Sequence, residues 1–409
     1  MSSAARKIMA RIDALGVVSD EPGRLTRTFG SPAMRRANAL VGRWMRQAGM
    51  RTRVDPIGNL LGFYPANRPG AKTLLLGSHL DTVPNAGRFD GALGVILAIA
   101  CVERLHQRKI RLPFGIAVIG FADEEGVRYQ TTYLGSRALA GTLGRNDLGR
   151  KDAKGVSLRE AICAFGGNPA QLRDARLAPH TLLGFLEAHI EQGPVLEQMN
   201  LSAAVVTGIA GQTRARVHFT GRAGHAGTTP MPLRRDALCA AAEFILEIES
   251  LARRQSGLMA TAGEITVQPG AGNVIPGSAS LSLDLRHACD SVRQAAFKTL
   301  KAKAARIARR RHIRCRFDTS QETPAVVLSL QLRTLLSRAL KRHQKKLVEL
   351  PSGAGHDAAI MASVTPTAML FIRCKDGISH EPRESASLRD IRLALEVVTN
   401  FLLLLASQS

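Results

Sequence analysis

Hydrophobic positions in the first third of the chain alternate between helical and strand-like spacing. Pro32 opens a segment in which apolar residues recur three and four positions apart as far as Gly49, which predicts an amphipathic helix. Residues 74–76 and 116–121 are unbroken apolar runs, typical of strands buried on both faces of a parallel sheet. The intervening residues 91–104 are apolar almost all round and predict a buried helix. This strand–helix–strand order indicates an α/β domain.

The pattern changes in the middle of the chain. Residues 215–219 alternate apolar and polar side chains, which predicts a strand with one solvent-facing side. The other elements expected here are helices at 236–251 and 291–309 and strands at 264–268, 279–286 and 313–317. We therefore predict an α/β fold with a mainly parallel sheet, formed by residues 1–207 and 324–409. We also predict an inserted α+β lid domain at residues 208–323.

The composition is that of an ordinary globular enzyme. The chain has 409 residues, 45% of them hydrophobic, and its apolar runs fall short of the ~18 residues that a membrane span needs. The first residues lack the apolar core of a secretory signal, so we expect a cytoplasmic protein without a membrane partner. The six cysteines are scattered without a C-x-x-C pair, which favours reduced thiols.

The formal net charge of +23 is unusual and permits several partners: nucleic acid, a membrane surface or a small anion. The basic run at residues 298–316 keeps a helical apolar stripe and then a period of two, as a solvated face does. Single-strand binders stack bases on aromatic side chains, and the chain has only 13 Phe, 3 Tyr and 1 Trp. These features argue against nucleic-acid binding. Steering of an anionic substrate would explain part of the positive charge.

Histidines and acidic residues occur where predicted elements end. His79 and Asp81 follow the first buried strand, and residues i and i+2 of an extended chain point to the same side. Asp81 can therefore orient His79 toward a metal, although a surface polar pair is the commoner interpretation of H-x-D. Asp90 lies at the start of the buried helix, where a carboxylate could bridge two metals.

Three acids, Asp123, Glu124 and Glu125, directly follow the second buried strand. Crowded carboxylates are costly unless a cation or a shared proton relieves them, so one of them could ligate a metal while another acts as a general base. His189 is flanked by acids, and His380 lies in a loop near the C-terminus. Imidazole and carboxylate without thiolate suit Zn²⁺, Mn²⁺ or Co²⁺.

The motifs around these residues occur in one characteristic order. They are GSHLDT, GRFDGALGV, FADEEGVRY, EAHIEQGPVLE, GIAGQTR, GRAGHAGTTPMPLRRD, NVIPG, DLRH, SGAGHDA and GISHEP. Together they resemble the dinuclear metal amidohydrolases of ureido acids, within the aminoacylase-type metallopeptidase fold. That family contains allantoate amidohydrolase, N-carbamoyl-L-amino acid hydrolase and β-ureidopropionase.

The resemblance implies a role for each matching residue. One metal would be held by His79, Asp90 and His189, and the second by Asp90, Glu125 and His380. Glu124 would act as general base and then as acid toward the departing nitrogen, with Asp81 as the orienting group. The allantoate branch resembles manganese users, so Mn²⁺ is the first expectation, with Zn²⁺ or Co²⁺ as alternatives.

The resemblance also extends to the inserted domain. Gln212, Asn273 and Arg286 match residues that grip the substrate, and His225 matches a histidine that reaches the site of a neighbouring subunit. A small anionic ureido acid and a homodimer are the partners that it implies, with residues 208–323 serving as the lid and dimerisation domain.

Metal-dependent hydrolysis of allantoate with release of ammonia and CO₂ is the first expectation for function. The residues Met369–Cys374 resemble the plant-type allantoate enzymes. N-carbamoyl-L-amino acid hydrolysis or β-ureidopropionase activity is the alternative, and a nucleic-acid-binding protein on a retired hydrolase scaffold is the distant one. Glu381, next to His380, departs from the family pattern, and an extra acid beside a metal ligand is expected to alter metal affinity or pKa.

Overall fold

The structure is a computed structural model that describes residues 3–408. It divides into two compact units. The first unit comprises residues up to 207 together with 328–350 and 355 onward, and the second comprises 208–327 and 351–354.

The strands are β1 Arg51–Val54, β2 Leu60–Tyr64, β3 Thr73–His79, β4 Gly115–Phe121, β5 Leu182–Ile190, β6 Ala203–Ile209, β7 Gly211–Thr220, β8 Gly224–His225, β9 Met259–Thr261, β10 Ile265–Gln268, β11 Val274–Ile275, β12 Ser278–His287, β13 Arg314–Thr323, β14 Val326–Val327, β15 Glu349–Ser352 and β16 Thr367–Ile372. The α-helices are α1 Ser3–Gly16, α2 Pro32–Gln47, α3 Ala92–Gln107, α4 Leu134–Ala140, α5 Arg145–Leu148, α6 Leu158–Phe165, α7 Val195–Gln198, α8 Ala237–Arg254, α9 Asp290–Arg310, α10 Leu330–Lys341, α11 Asp357–Met361 and α12 Leu388–Ala406. Short 3₁₀ helices cover Pro169–Ala175, Pro179–Thr181, Met231–Leu233 and Lys375–Gly377.

The first unit is built on a mixed sheet in the order β1-β2-β4-β3-β5-β16-β6. Its four central strands, β4, β3, β5 and β16, are parallel, whereas β1, β2 and β6 pair antiparallel toward the edges. β4 is buried along its whole length and β3 along all but its first residue, because helices cover both faces and leave no solvent-facing side. The predicted α/β fold with a mainly parallel sheet is confirmed.

Helix α3 forms the centre of the first unit. Thirteen of its sixteen residues are buried, which matches its nearly uniform apolar sequence. It contacts β3, β5, α1 and α12. The predicted helix at Pro32 is also present as α2, and Ser31 caps it by accepting a hydrogen bond from the N–H of Met34.

The second unit is an antiparallel sheet in the order β10-β12-β7-β13, with β9 also paired to β12. Helices α8 and α9 cover one face, where the alternate apolar residues of β7 and β12 form the core. The unit extends to Val327 because β14 pairs with residues 208–209. It also takes residues 351–354, since the Ser352 carbonyl accepts the N–H of Ala210.

The basic run at 298–316 lies mostly on α9 and the start of β13. Glu247 on α8 pairs with Lys303 and Arg306, and Glu243 pairs with Arg310 and Arg311. Four of the nine Lys and Arg residues in the run therefore form ion pairs with α8 of the same unit. Within residues 3–408 no helix is both long enough and apolar enough to cross a bilayer.

Candidate metal centre

The carboxyl ends of the four parallel strands bring the predicted ligands to one edge of the sheet. His79 ends β3, His189 lies one residue before the end of β5, and the acids at 123–125 directly follow β4. His380 lies in the loop that follows β16. Open α/β sheets bind ligands at this edge because the loops converge there.

The first cluster consists of His79, Asp90 and His189, all buried, with candidate ligand atoms within 4.8 Å of one another. Nε2 of His189 lies 3.0 Å from Oδ1 of Asp90, and Nε2 of His79 lies 3.5 Å from the same oxygen. Asp90 is placed there by the turn that immediately precedes α3.

The second cluster consists of Asp90, Glu125 and His380. Nε2 of His380 lies 3.1 Å from Oδ2 of Asp90 and 3.5 Å from Oε1 of Glu125. The two oxygens of Asp90 therefore face different clusters, as the oxygens of a bridging carboxylate would.

Backbone carbonyls determine which nitrogen of each buried imidazole faces Asp90. Nδ1 of His79 donates to the Asp81 carbonyl at 3.0 Å, and Nδ1 of His189 donates to the Ile190 carbonyl at 2.9 Å. A carbonyl cannot donate, so each Nδ1 carries a proton and Nε2 is left to bind a metal. For His189 the backbone N–H of Gly91 also points at Nε2, at 3.3 Å.

These residues fit a pair of divalent cations. Oδ1 of Asp90 is buried, and no hydrogen-bond donor within residues 3–408 satisfies it. A buried carboxylate oxygen surrounded by imidazole nitrogens is costly unless a positive charge lies beside it. The ligand atoms are nitrogen and oxygen without sulfur, which suits Zn²⁺, Mn²⁺ or Co²⁺.

The pKa values of the acids show how crowded the site is without a metal. Burial raises the pKa of Glu125 to about 7; His79 opposes this shift, and Asp90 and Asp81 add to it. Burial likewise raises the pKa of Glu124 well above its usual range, with Glu125 contributing. The hydrogen bond to Asp90 raises the pKa of His380 to about 9. The metal-free site therefore holds protons that a metal would displace.

Glu124 and Glu125 are both anchored through Asp81. Oδ1 of Asp81 accepts the backbone N–H of Glu124 at 3.0 Å, and Oδ2 accepts that of Glu125 at 3.1 Å. Its carboxylate also lies 3.4 Å from Nδ1 of His79, although the main hydrogen bond of that nitrogen is to the Asp81 carbonyl. Asp81 thus positions three neighbours, whereas the H-x-D spacing suggested only one.

Sequence reasoning assigned no role to several buried polar groups around the two clusters. Glu187 lies near His189 and His356, but Ser78 and the N–H of Ala358 already occupy its two oxygens. The His356 ring packs on that of His189 with ring centroids 4.5 Å apart, and burial lowers its pKa well below the usual value. Glu187 could have been found from its two-residue spacing to His189 on one strand.

Glu384 is the second acid that sequence reasoning missed. It is buried, with 1% of its surface exposed, and it bonds the backbone of Phe89 and Asp90. No spacing in the sequence pointed to it, because its partners lie almost 300 residues away. Glu381, the departure from the family pattern, instead pairs with Arg383 in the same exposed turn.

The remaining predicted residues lie in the second unit, where they form two pairs. Gln212 and Arg286 are register partners on β7 and β12, and the carboxylate of Asp284 accepts hydrogen bonds from both. His225 is exposed on β8 opposite Val274 of β11, and the N–H of the next residue donates to the Asn273 carbonyl.

Comparison with known proteins gives a consistent set of relatives. The family described as Peptidase family M20/M25/M40 matches residues 75–404. Allantoate deiminase 1 of Glycine max is 40% identical over 427 residues, covering 96% of this chain and 88% of the relative. N-carbamoyl-L-amino acid amidohydrolase of Geobacillus stearothermophilus is 40% identical over 393 residues, covering 96% of both chains. A solved structure of an amidase of the hydantoinase/carbamoylase family from Burkholderia multivorans superposes with a TM-score of 0.92 at 30% identity, covering 98% of this chain and 97% of that one.

Proposed function

We propose that this chain, which belongs to peptidase family M20/M25/M40 and is an amidohydrolase of the allantoate deiminase and N-carbamoyl-L-amino acid hydrolase type, hydrolyses allantoate. The observation that carries the proposal is the double contact of Asp90. Its two oxygens face separate clusters of imidazole and carboxylate, beside the buried acid Glu124.

The proposed ligands follow from those contacts. His79, Asp90 and His189 would hold one cation, and Asp90, Glu125 and His380 would hold the other. Mn²⁺ is our first choice, with Zn²⁺ or Co²⁺ as alternatives. When bound, two divalent cations lower the pKa of a water molecule and polarise the carbonyl that it attacks.

Glu124 is the proposed general base. It would accept a proton from the attacking water and later donate it to the departing nitrogen. Its burial supports the role, because a raised pKa lets a carboxylate both take and return a proton near neutral pH. Asp81 would act through Glu124 by holding its backbone N–H.

Arg286 and Gln212 are the proposed contacts to the substrate carboxylate. They lie side by side on adjacent strands, where Asp284 accepts hydrogen bonds from both and would orient them. The remaining N–H groups of the guanidinium would bind the substrate carboxylate. Asn273 and His225 would contact the substrate with His225 reaching the neighbouring subunit's site, which requires a homodimer. His225 is exposed, as that role needs, and one donor to a tetrahedral oxyanion contributes about 3 kcal/mol.

The choice of substrate depends on similarity to known enzymes rather than on a contact between the protein and a substrate. Identity to the soybean allantoate deiminase and to the bacterial carbamoyl-amino acid enzyme is the same, 40%. The plant-type likeness included Arg373 and Cys374, but Arg373 pairs with Asp390 and Cys374 is buried. Hydrolysis of N-carbamoyl-L-amino acids therefore stays as the second candidate function. β-Ureidopropionase activity is an alternative form of that candidate.

A substrate panel tests the proposal. Purified protein is stripped with chelator, reloaded with Mn²⁺, and assayed for ammonia from allantoate, several N-carbamoyl-L-amino acids and N-carbamoyl-β-alanine. We expect metal-dependent ammonia release that is fastest with allantoate. Faster turnover of a carbamoyl amino acid would replace the substrate assignment, and no metal-dependent release from any of them would overturn the enzyme proposal.

Nucleic-acid binding is the distant alternative. The ion pairs that Glu243 and Glu247 form with the basic run argue against it, because cations paired within the protein are poorer partners for phosphates. The same preparation tests this alternative: salt-sensitive retention of DNA or RNA without hydrolysis of the panel would favour it. The cytoplasmic location remains a prediction.

A further inference from the structure

A buried acid from the His380 loop holds the turn that carries Asp90. Oε1 of Glu384 accepts the backbone N–H of Phe89 at 2.7 Å and that of Asp90 itself at 3.0 Å. Gly87, in the same turn, packs so closely on the Glu384 side chain that a Cβ there would overlap it. The backbone of this turn is therefore fitted to Glu384.

The other oxygen of Glu384 reaches the Asp90 side chain through a serine. The hydroxyl of Ser379 lies 3.0 Å from Oε2 of Glu384 and 2.9 Å from Oδ2 of Asp90. Nε2 of Gln192 donates to the same Asp90 oxygen at 3.0 Å and lies 3.3 Å from the Ser379 hydroxyl. Oδ2 is the oxygen that faces His380, so these contacts set the orientation of Asp90 toward the second cluster.

We propose that Glu384 is a positioning residue for the metal centre, which presets Asp90 and the His380 loop for the second cation. This inference rests on the proposed function, since it presupposes that both clusters bind metal. Glu384 joins two segments nearly 300 residues apart, and each supplies one ligand of that cation. Holding both in place before the metal arrives lowers the ordering cost of binding, and outer contacts of this kind typically contribute 10- to 100-fold in metal affinity.

The chemistry of a carboxylate explains why this position uses glutamate. Glu384 accepts two backbone N–H groups at one oxygen, and its other oxygen shares the single proton of the Ser379 hydroxyl with Oδ2 of Asp90. In Glu384→Gln the amide nitrogen takes the place of Oε2 and donates to Ser379. The fold can tolerate that exchange. The negative charge of Glu384 and its acceptor oxygen toward Ser379 are lost, however, at the point where the His380 loop meets the turn that carries Asp90.

Metal titration of the stripped full-length protein tests the proposal. Mn²⁺ binding is measured by calorimetry and bound metal by elemental analysis for wild type, Glu384→Gln and the control Glu381→Gln, which alters an exposed acid in the same loop. We expect two ions in wild type and in the control. Glu384→Gln should bind one ion at least 10-fold more weakly, and kcat should recover at saturating Mn²⁺.

A background lacking His380 identifies the affected ion. In His380→Ala only the first cluster is complete, so adding Glu384→Gln should weaken the remaining ion less than it weakens the second ion in the wild-type background. Asp90 belongs to both clusters, but the serine link reaches only Oδ2, the oxygen that faces His380. Ser379→Ala removes the serine link without touching Glu384, and it should weaken the same ion to a smaller extent. This variant also decides the matter if Glu384→Gln does not fold.

Two results would overturn the inference, and a third would contradict the proposed function instead. If Glu384→Gln binds both ions with wild-type affinity, Glu384 has no positioning role, and the proposed function is unaffected. If Glu384→Gln does not fold, the same result in Ser379→Ala leads to the same conclusion. Equal weakening in the His380→Ala background contradicts the assignment to the second cation. Failure of wild type to bind two ions contradicts the proposed function itself.

Discussion

Oδ1 of Asp90 lies 3.0 Å from Nε2 of His189, and that nitrogen also faces the backbone N–H of Gly91. An acceptor nitrogen and a carboxylate oxygen at this distance repel each other unless a positive charge lies beside them. Although burial opposes it, Asp90 raises the pKa of His189, so this position favours a positive charge. A divalent cation in the same place would satisfy both atoms at once.

Metal affinity should therefore depend on pH. In the metal-free site near pH 7, Glu125, with its pKa raised to about 7, is about half protonated, and His380, with its pKa raised to about 9, is mostly protonated. A metal must displace those protons, so affinity rises as pH rises from 6 to 9, by up to about tenfold per unit for each proton displaced. Calorimetry in buffers of different ionisation enthalpy measures both the affinity and the protons released. Affinity that is constant across this range would contradict the proposed ligands.

Replacing Glu124 with Gln should abolish turnover without releasing metal. The amide cannot take a proton, and general base catalysis typically contributes ~10²–10⁴-fold. Bound Mn²⁺ should stay within the wild-type range because Glu124 is not among the proposed ligands of either cation. Steady-state ammonia release and elemental analysis are the measurements, with Glu381→Gln as the control that keeps wild-type activity. A Glu124→Gln enzyme with wild-type kcat would remove the base assignment.

Arg286→Lys should raise KM for the ureido acid by at least about tenfold, since lysine cannot form the paired hydrogen bonds of a guanidinium. Metal content should not change. Arg216→Lys is the matched control, because Arg216 is on the neighbouring strand of the same sheet and pairs with the exposed Glu264. Equal KM changes in the two variants would contradict a specific contact between the guanidinium of Arg286 and the substrate carboxylate.

Gly94→Ala should destabilise the first unit, although alanine is the better helix former. A Cβ on Gly94 would overlap the Ala188 carbonyl of β5 and approach Cβ of Ser78 to 2.9 Å. That backbone oxygen cannot move without shifting the strand that carries His189, so we expect a loss of about 1–3 kcal/mol.

Gly42→Ala provides the contrasting substitution on α2. The nearest atoms to its Cβ, on Arg46 and Leu60, lie at 3.5 and 3.6 Å, which is ordinary contact. This variant should gain up to about 1 kcal/mol from helix propensity. Denaturant unfolding of the stripped proteins compares the two, and a stabilised Gly94→Ala would contradict the packing described here.

The local hydrophobic pattern was sufficient to predict most of the helices and strands. The apolar runs at 74–76 and 116–121 became β3 and β4, and the helix predicted at 236–251 became α8, which Asp236 caps. These elements depend on periodicity and capping, which act between residues close in the chain. The ends of elements were less predictable. β13 continues to Thr323, beyond the expected range, because pairing with β7 decides where the strand stops. α9 also extends slightly beyond its expected range.

By itself the sequence determined that His79, Asp81 and the acids at 123–125 end buried strands, because burial and strand direction follow from hydrophobic pattern. The roles assigned to His189, His380 and the inserted domain came from resemblance to a family, and no spacing shows them. Only the tertiary structure decided that one carboxylate, Asp90, lies between two clusters, and that Glu384 holds it there. Hydrogen bonds of this kind join segments hundreds of residues apart, so they depend on packing that no local pattern encodes.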